Sequence, residues 1–398
     1  MPLPDQHAQT IAARTGVDCD TQYGSVIPPI HMSSTFSFAD YGEARAHDYS
    51  RSGNPTRDRL ADALRDLEGG AAATVTATGM AAITTVLQLA GPDDLILATH
   101  DCYGGTFRLL DAWARQGRFQ LSFVDFNDPA AAREALARRP KLVWLESPSN
   151  PLLRITDIAQ VCERAREVEA RVVVDNTFLS PALQQPLSLG ADIVVHSTTK
   201  YINGHSDVIG GAIISADPQA GEEIAWWANC LGVTAAAFDA WLTLRGLRTL
   251  HARLALHQEN TARVCEFLAD HPAVSKIYYP GLTSHPGHAI ARRQQSGFGA
   301  MLSFELEGGE AAVRRFLSGL RCITLAESLG GVESLIAHPA TMTHAAMHPD
   351  ARRRAGIGDG LLRLSVGIES TRDLIADLDQ ALSGLLTRQA AGLEGVGT

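Results

Sequence analysis

Short apolar runs alternate with helical stretches through the middle of the chain. The apolar runs have the length of strands and lie at residues 94–99, 119–124, 141–145, 171–174, 192–196 and 209–215. Several intervening stretches have helical spacing, at residues 105–116, 129–138 and 157–169. This alternation predicts an α/β fold whose mostly parallel sheet is covered by helices on both faces. Such sheets bind ligands beyond the carboxyl ends of their strands, so residues that follow strands are the first candidates for function.

An uncharged stretch at residues 69–92 is long enough to span a bilayer on length alone. It contains five threonines, however, and Gly79 separates a β-branched alternation at 74–76 from a helix-like run at 80–89. The pattern therefore predicts a strand, a turn and a helix packed inside a domain.

The chain divides into three predicted parts. Residues 1–65 contain five prolines and little periodicity, which predicts an arm with short helices. Residues 66–255 hold the alternating region and end in helical pattern, with one long stretch at 235–268. Residues 256–398 predict a smaller α+β domain. Its elements are a strand at 300–306, a helix at 310–317 and a terminal amphipathic helix at 372–388.

Composition narrows the classes of function. The 398 residues are 45% hydrophobic and 20% charged, which is ordinary for a globular protein. A formal net charge of −10 argues against nucleic acid as a partner. The six cysteines are far apart and form no Cys-x-x-Cys pair, so we expect reduced thiols and no metal site. Residues 1–16 contain no apolar export signal, which favours the cytoplasm.

Lysine is scarce: 34 basic residues include only Lys141, Lys200 and Lys276. None of the three follows a glycine, which excludes a Walker-type phosphate loop, and no G-x-G-x-x-G run occurs. Lys141 and Lys276 have the surroundings of solvated edge lysines. Lys200, in contrast, follows the apolar run 192–196 and lies among hydroxyl side chains. Lys200 is therefore the candidate amine for covalent chemistry.

Asp175 ends another apolar run, where a buried carboxylate is costly unless it has a partner. Pyridoxal phosphate needs two protein groups of these kinds. A lysine forms a Schiff base with its aldehyde, and an aspartate holds its pyridinium nitrogen. Lys200 and Asp175 are thus a candidate pair for this cofactor.

Groups for the rest of the cofactor follow other predicted strands. Ser197 and Thr199 precede Lys200, and the amides of Gly79 and Met80 open a helix whose dipole suits a phosphate dianion. Tyr103 follows a strand and is the candidate for covering the ring. Each residue alone has a structural explanation as a cap, a turn or a surface group. Their order after successive strands favours the cofactor.

These residues resemble the Cys/Met-metabolism family of fold-type I pyridoxal-phosphate enzymes over residues 8–386. The most specific passages are 45–56, 101–106, 146–151, 174–178, 196–207, 225–229 and 325–334. The resemblance implies a large cofactor domain with a mostly parallel seven-stranded sheet and a smaller α+β carboxyl-terminal domain. It also implies that the arm at residues 1–65 contacts a neighbouring subunit.

The resemblance implies roles in the cofactor site. Lys200 would hold pyridoxal 5′-phosphate and then move protons on the substrate, Tyr103 would stack on the ring, and Asp175 would hold its nitrogen. Thr177 and Asn150 would lie close to the ring. The remaining cofactor contacts would come from Gly79, Met80, Ser197 and Thr199 in the same chain, and from Tyr49 and Arg51 of a neighbouring one. The active unit would be at least a dimer, and the family pattern is a homotetramer.

Further residues would bind small amino-acid substrates. Arg363 and Ser328 would take the α-carboxylate, for which the planar fork of arginine is suited. Glu327 matches an acidic residue of family members that act at Cγ, where it meets a cationic amino group; typical bacterial β-lyases lack it. We expect Arg108, with Arg51 and Asn229, to bind the distal carboxylates.

The implied reaction is a γ-replacement that joins an O-acylhomoserine and L-cysteine into L-cystathionine, in methionine biosynthesis by transsulfuration. Gly105 stands where methionine γ-lyases carry cysteine, which counts against methionine cleavage. O-succinylhomoserine is the expected ester. One departure leaves acetyl or another ester open: many close members have a second arginine after Arg51, and this chain has Ser52.

Two alternatives remain. The first is a γ-lyase or β-lyase of the same family that cleaves cystathionine. The second is a catalytically silent protein that binds pyridoxal phosphate. The joint presence of Lys200, Tyr103, Glu327 and Arg363 argues against the silent protein.

Overall fold

The structure, a computed structural model, describes residues 6–343, 345, 352 and 355–393. The chain forms two compact units. The first consists of the amino-terminal part up to Ser147, Thr156–His251 and Gln294–Ser296, and the second of Pro148–Ile155, Ala252–Arg293 and the chain from Gly297 onward. The division predicted from the sequence, at 1–65, 66–255 and 256–398, stays a prediction.

A seven-stranded sheet forms the centre of the first unit, with strand order β1-β7-β6-β5-β4-β2-β3. β7 is antiparallel to β1 and β6, and the other neighbouring pairs of this sheet are parallel, so the prediction of a mostly parallel sheet is confirmed. The strands are β1 (Ala72–Thr76), β2 (Leu95–Thr99), β3 (Gln120–Val124), β4 (Leu142–Glu146), β5 (Arg171–Asp175), β6 (Ile193–His196) and β7 (Gly211–Ser215).

The helices of the first unit include those predicted between the strands. They are α1 (Ala8–Arg14), α2 (Pro55–Glu68), α3 (Gly79–Val86), α4 (Gly104–Arg115), α5 (Pro129–Leu136), α6 (Ile158–Glu167), α7 (Ser180–Leu183), α8 (Pro218–Leu231) and α9 (Ala237–Leu247). Short 3₁₀ turns follow α3 at Leu87–Leu89 and α7 at Pro186–Leu189. The uncharged stretch at 69–92 is thus β1, α3 and a turn. Within the described ranges, no helix is long and apolar enough to cross a membrane.

Apolar side chains cover both faces of this sheet. Val172 and Val174 of β5 pack with α5 and α6, whereas Val173 between them packs with α3, α4 and α8. Successive side chains of a strand point to opposite faces, so a continuous apolar run is needed where both faces are buried. This requirement explains why the strands were visible in the sequence as unbroken apolar runs.

Three helices of the first unit start at an Asn-Pro or Asp-Pro pair. In α2, the Asn54 side chain accepts hydrogen bonds from the amides of Thr56 and Arg57, and Pro55 occupies the first helical position. Asp128 and Asp217 cap α5 and α8 in the same way. The cap satisfies amides that lack a partner inside the helix, and proline there loses no hydrogen bond.

The long helical stretch predicted at 235–268 is broken. α9 ends at Leu247 and α10 (Leu250–Ala269) begins after a short turn. Both the amide and the hydroxyl of Thr249 donate to the carbonyl of Gly246, so this local pairing replaces the helical one. Hydrophobic spacing continues through the turn, so the long stretch predicted as helical is two successive helices.

The second unit contains a five-stranded sheet with order β10-β11-β12-β9-β8. Side chains of α10, α12 and α13 pack with this sheet around one apolar core, where the rings of Phe304 and Phe316 meet edge to face at 5.9 Å. The elements are β8 (Val274–Tyr278), α11 (His288–Gln294), β9 (Met301–Leu306), α12 (Gly309–Gly319), β10 (Thr324–Leu325), β11 (Leu335–Ala337), β12 (Leu361–Ser365) and α13 (Thr371–Leu393).

The packing of α9 can be tested at Gly246, with Gly384 of α13 as the control. A Cβ on Gly246 would lie 2.1 Å from the carbonyl oxygen of Asn203, in the turn that follows Lys200. We expect Gly246→Ala to destabilise the protein by ~1–3 kcal/mol, since backbone must move. The control is Gly384→Ala in α13, where a Cβ meets nothing within 4 Å. There we expect stabilisation by ~0.5–1 kcal/mol, because alanine is the better helix former. Thermal unfolding of each variant measures whether its melting temperature falls or rises. Equal shifts of the melting temperature in the two variants would contradict the close approach of Gly246 to Asn203.

Candidate active site

The predicted site residues of the first unit meet at one edge of its sheet. β1 is antiparallel to β7 and β7 is antiparallel to β6, so β1 runs parallel to β6 and to the strands beyond it. The carboxyl ends of these strands therefore share an edge. Gly79, Tyr103, Asp175 and Lys200 each end or closely follow one of them.

The start of α3 forms a bare backbone surface against Ser197. A Cβ on Gly79 would lie 2.9 Å from the Ser197 Cβ, so no larger residue fits without movement. Thr78 accepts hydrogen bonds from the amides of Ala81 and Ala82. This leaves the amides of Gly79 and Met80 without an acceptor among the described residues. Two unsatisfied donors at a helix amino terminus fit a phosphate group.

Asp175 is a buried carboxylate with 9% of its surface exposed. Burial raises its pKa, and hydrogen bonds from the hydroxyl and amide of Thr177, together with the nearby His196, act in the opposite direction. The Thr177 amide lies 3.0 Å from the Asp175 Oδ1. A buried carboxylate supported in this way fits a cationic ring nitrogen, whose charge would compensate for lost hydration.

Thr177 also joins the ends of β5 and β6. Its hydroxyl oxygen accepts the amide of Ser197 at 2.9 Å. The turn then continues to Lys200, whose amide donates to the Ser197 carbonyl, and the Lys200 side chain is half-buried. The hydroxyl of Thr199 exchanges two hydrogen bonds with Gly210, so its role at a phosphate stays a prediction.

Tyr103 stands at the start of α4 with 42% of its surface exposed. Its amide donates to the Glu146 Oε2 at 2.6 Å. A Cβ substituent on Gly105 would have little room: the Cβ itself would lie 2.4 Å from the Tyr103 ring and 2.9 Å from the Met80 sulfur. The small residue at position 105 therefore allows this placement of the ring.

Glu146 was missed by sequence reasoning. It is the last residue of β4, pairs with Asp175 across the sheet and is buried. The available signal was an acidic residue at the end of an apolar run, which is the same signal that identified Asp175. Its contact with the Tyr103 amide shows that it orients the start of α4.

The arm and α8 supply a second cluster in the first unit. The Arg51 Nε donates to the Asn229 Oδ1 at 2.9 Å, and the Arg51 guanidinium lies 5.5 Å from the centre of the Tyr49 ring. The structure thus brings together Arg51 and Asn229, two of the three residues predicted to bind distal carboxylates. The third, Arg108, is exposed on α4.

The second unit brings together Arg363, Asn150 and Ser328. The guanidinium of Arg363 is buried on β12, where its Nη1 donates to the Asn150 Oδ1 at 3.1 Å and its Nη2 to the Ser328 carbonyl at 2.7 Å. Ser328 has a φ of +83°, an uncommon value for a residue with a side chain. Both contacts orient the guanidinium. The neighbouring Glu327 is exposed.

Known proteins resemble this chain over nearly its whole length. A family model described as Cys/Met metabolism PLP-dependent enzyme matches residues 9–383. Cystathionine gamma-synthase of Escherichia coli (strain K12) is 60% identical over 371 residues, which are 93% of this chain and 96% of that protein. Cystathionine beta-lyase of Coxiella burnetii is 45% identical over 378 residues, which are 94% of this chain and 98% of that protein.

A crystal structure of cystathionine gamma synthase from Xanthomonas oryzae pv. oryzae, in complex with cystathionine, has the same fold. It superposes with a TM-score of 0.94 at 61% identity and covers 96% of this chain and 98% of its own. Likeness of this extent, together with donors that fit a phosphate and a carboxylate that fits a ring nitrogen, leads to one conclusion. The chain belongs to the Cys/Met metabolism PLP-dependent enzyme family, and its cofactor is pyridoxal 5′-phosphate.

Proposed function

We propose that the protein catalyses a γ-replacement: the Cγ–O bond of an O-acylhomoserine breaks, the acyloxy group leaves as a free carboxylate, and the thiol of L-cysteine takes its place on Cγ to form L-cystathionine. This reaction belongs to methionine biosynthesis by transsulfuration. The observation that carries the proposal is the identity of 60% to a cystathionine gamma-synthase, against 45% to cystathionine beta-lyases. The crowding of a Cβ on Gly105 by the Tyr103 ring supports it, since a cysteine at that position would displace the ring.

The residues at the sheet edge are proposed to handle the cofactor and the protons. When bound, pyridoxal 5′-phosphate supplies an aldehyde that links to an amine and a cationic ring that withdraws electrons. Lys200 would hold the aldehyde and, once the substrate amine has replaced it, would act as the base that moves protons between the substrate Cα, the C4′ atom of the cofactor and the substrate Cβ, passing on each proton before it takes the next. Asp175 keeps the ring nitrogen charged, and Thr177 orients the Asp175 carboxylate.

The phosphate is proposed to lie at the start of α3. The free amides of Gly79 and Met80 donate to it, with the Ser197 hydroxyl as a third donor and Thr199 as a fourth. Tyr103 covers the ring face, and Asn150 lies close to the ring. A helix amino terminus favours an anion through both its free amides and its dipole.

The two arginine clusters are proposed to bind substrate carboxylates. Arg363, oriented by Asn150 and Ser328, takes the α-carboxylate. Arg51 and Asn229, with Arg108, take the distal carboxylate of the leaving acyl group and of cysteine. Since arginine binds a carboxylate through two parallel hydrogen bonds, each cluster fixes an orientation as well as a charge.

Glu327 is proposed to meet the cationic amino group of an incoming substrate. Its side chain is exposed, so it can attract that charge without a desolvation cost of its own.

We further propose that the enzyme acts as a homo-oligomer, at least a dimer and by family pattern a tetramer, in the cytoplasm. Large apolar side chains of the arm and of the helices α8 and α9 are exposed in the single chain: Met32 is 72% exposed, Tyr41 100%, Trp226 58% and Phe238 48%. Large apolar side chains that stay exposed in a single chain favour an interface with another copy. All six cysteines are free, which suits a reducing compartment.

The role of Lys200 can be tested with a matched lysine. Lys200→Ala removes the amine that links to the aldehyde, so we expect loss of the visible absorbance of the bound cofactor and loss of turnover. The control is Lys276→Ala: Lys276 is exposed, its amine lies 4.5 Å from the centre of the half-buried Tyr278 ring, and its loss should leave both the absorbance and the turnover unchanged. Retention of the wild-type spectrum in Lys200→Ala would refute the assignment.

The reaction can be tested with a panel of esters. We expect cystathionine from O-succinylhomoserine and cysteine, at a higher rate than from the acetyl or phosphoryl esters. The reason is that Arg51 and Arg108 are proposed to bind a distal carboxylate, and of these esters only the succinyl ester carries one. Chromatography of the products with and without cysteine measures this. A lyase would instead convert cystathionine to a keto acid and make none, and that result would decide for the alternative function.

The shared site can be tested by mixing two inactive variants. If Arg51 and Tyr49 reach the phosphate of a neighbouring subunit, then Arg51→Ala and Lys200→Ala are each inactive, but a mixed dimer has one intact site. Random reassembly then restores about a quarter of the wild-type activity, as expected for a two-fold symmetric pair. No recovery after verified mixing would place Arg51 in the site of its own chain.

A further inference from the structure

A buried carboxylate–imidazole pair lies beside the proposed cofactor site, and sequence reasoning assigned no role to either residue. Glu68 is the last residue of α2 and His196 the last residue of β6. The Glu68 Oε1 lies 2.6 Å from the His196 Nε2, and neither side chain has exposed surface. The same Glu68 oxygen accepts a hydrogen bond from the Asn176 amide group at 3.0 Å.

The two partners of Glu68 are direct chain neighbours of proposed cofactor ligands. Asn176 follows Asp175, and His196 precedes Ser197. Side chains alternate along an extended chain, so Asn176 points away from the face that carries Asp175. On that face, Thr177 already joins β5 to Ser197. Glu68 therefore joins the ends of the same two strands on the opposite face.

The contact extends to a third strand through Gln184. Its side-chain amide donates to the Asn176 Oδ1 at 3.0 Å and to the carbonyl of Ser147, just beyond β4, at 2.8 Å. Asn176 in turn donates to the Gln184 carbonyl. All of these side chains are buried. One connected set of hydrogen bonds thus holds the carboxyl ends of β4, β5 and β6.

The buried Glu68–His196 pair contributes little to the stability of the fold. Burying a carboxylate against an imidazole removes hydration that the contact between them often fails to return, and apolar replacements of such buried polar pairs are frequently as stable. The second oxygen of Glu68 and the second ring nitrogen of His196 have no hydrogen-bond partner among the described residues, which adds to the cost. The benefit of the pair is therefore orientation, since hydrogen bonds have direction and apolar contacts do not.

We infer that Glu68 is a positioning residue of the cofactor site: through Asn176 and His196 it fixes the separation of Asp175 and Ser197, which the ring nitrogen and phosphate of pyridoxal 5′-phosphate must bridge. The inference rests on the cofactor site proposed above. In this role Glu68 itself contacts neither the cofactor nor the substrate. His196 also opposes the effect of burial, which raises the pKa of Asp175.

The test removes the acceptor from Glu68 and, separately, conserves it. Glu68→Met keeps length and buried volume but cannot bind Asn176 or His196, whereas Glu68→Gln keeps the accepting oxygen. The matched control is Asp192→Leu, because Asp192 accepts the Val172 amide at 2.7 Å and joins β5 to β6 at their other end. Each holoenzyme is dialysed without cofactor. The rate of cofactor release, the circular dichroism of the cofactor band and the melting temperature are measured.

We expect Glu68→Met to release cofactor at least about tenfold faster and to lose most of the circular dichroism, since two buried donors lose their acceptor. Glu68→Gln should stay within about threefold of wild type, and Asp192→Leu within about twofold, even where the melting temperature falls. Wild-type release by Glu68→Met, or equal acceleration by Asp192→Leu, overturns the inference. So does loss of binding by Glu68→Gln as large as by Glu68→Met.

If Glu68→Met does not fold, Asn176→Ala removes the other end of the same contact and must show the same faster release; a wild-type rate overturns the inference. Lys200→Ala separates this inference from the site on which it rests. A spectrum unchanged by Lys200→Ala means that the cofactor site itself is wrongly placed. The expected Lys200→Ala spectrum together with an unaffected Glu68→Met overturns only the role of Glu68.

Discussion

The burial of the Asp175 carboxylate at the end of β5 is the constraint on which the site depends. A charge in that position is tolerated only with compensation, and the surroundings supply it in part. Thr177 donates to the carboxylate from two groups, and His196 acts in the same direction. In the proposed site, the pyridinium nitrogen of pyridoxal 5′-phosphate would bring a positive charge to this carboxylate.

Parallel strands make the rest of the site possible. They bring residues that are far apart in the chain to one edge, and hydrogen bonds on both faces hold the strand ends in register. The site also depends on two absences of side chain: Gly79 lets backbone amides approach an anion beside Ser197, and Gly105 leaves room for the Tyr103 ring. In the proposed site, the cofactor would lie at this sheet edge, and the groups that meet the distal parts of the substrates lie outside it.

Apolar runs predicted the strands to within two residues because the sheet is buried on both faces. The same reasoning extended α9 into α10, since hydrophobic spacing carries no information on the hydrogen bonds that Thr249 makes to Gly246. It also overlooked Glu68 and Glu146. Acidic residues at the ends of elements are usually caps or surface groups. Glu146 ends an apolar run, as Asp175 does, whereas Glu68 ends a helix and no local pattern marks it as buried.

The sequence by itself determined the fold class and the cofactor, and it identified Lys200 as the candidate for the reactive amine. Strand-length apolar runs, a single lysine after a strand and an aspartate after another are local patterns, and a local pattern needs no knowledge of distant neighbours. Only the tertiary structure decided which groups act together. Arg51 meets Asn229, Arg363 meets Asn150, and Glu68 meets His196 across 128 positions of chain. Such contacts arise from the way strands and helices pack, so the number of positions between two residues does not predict whether they meet.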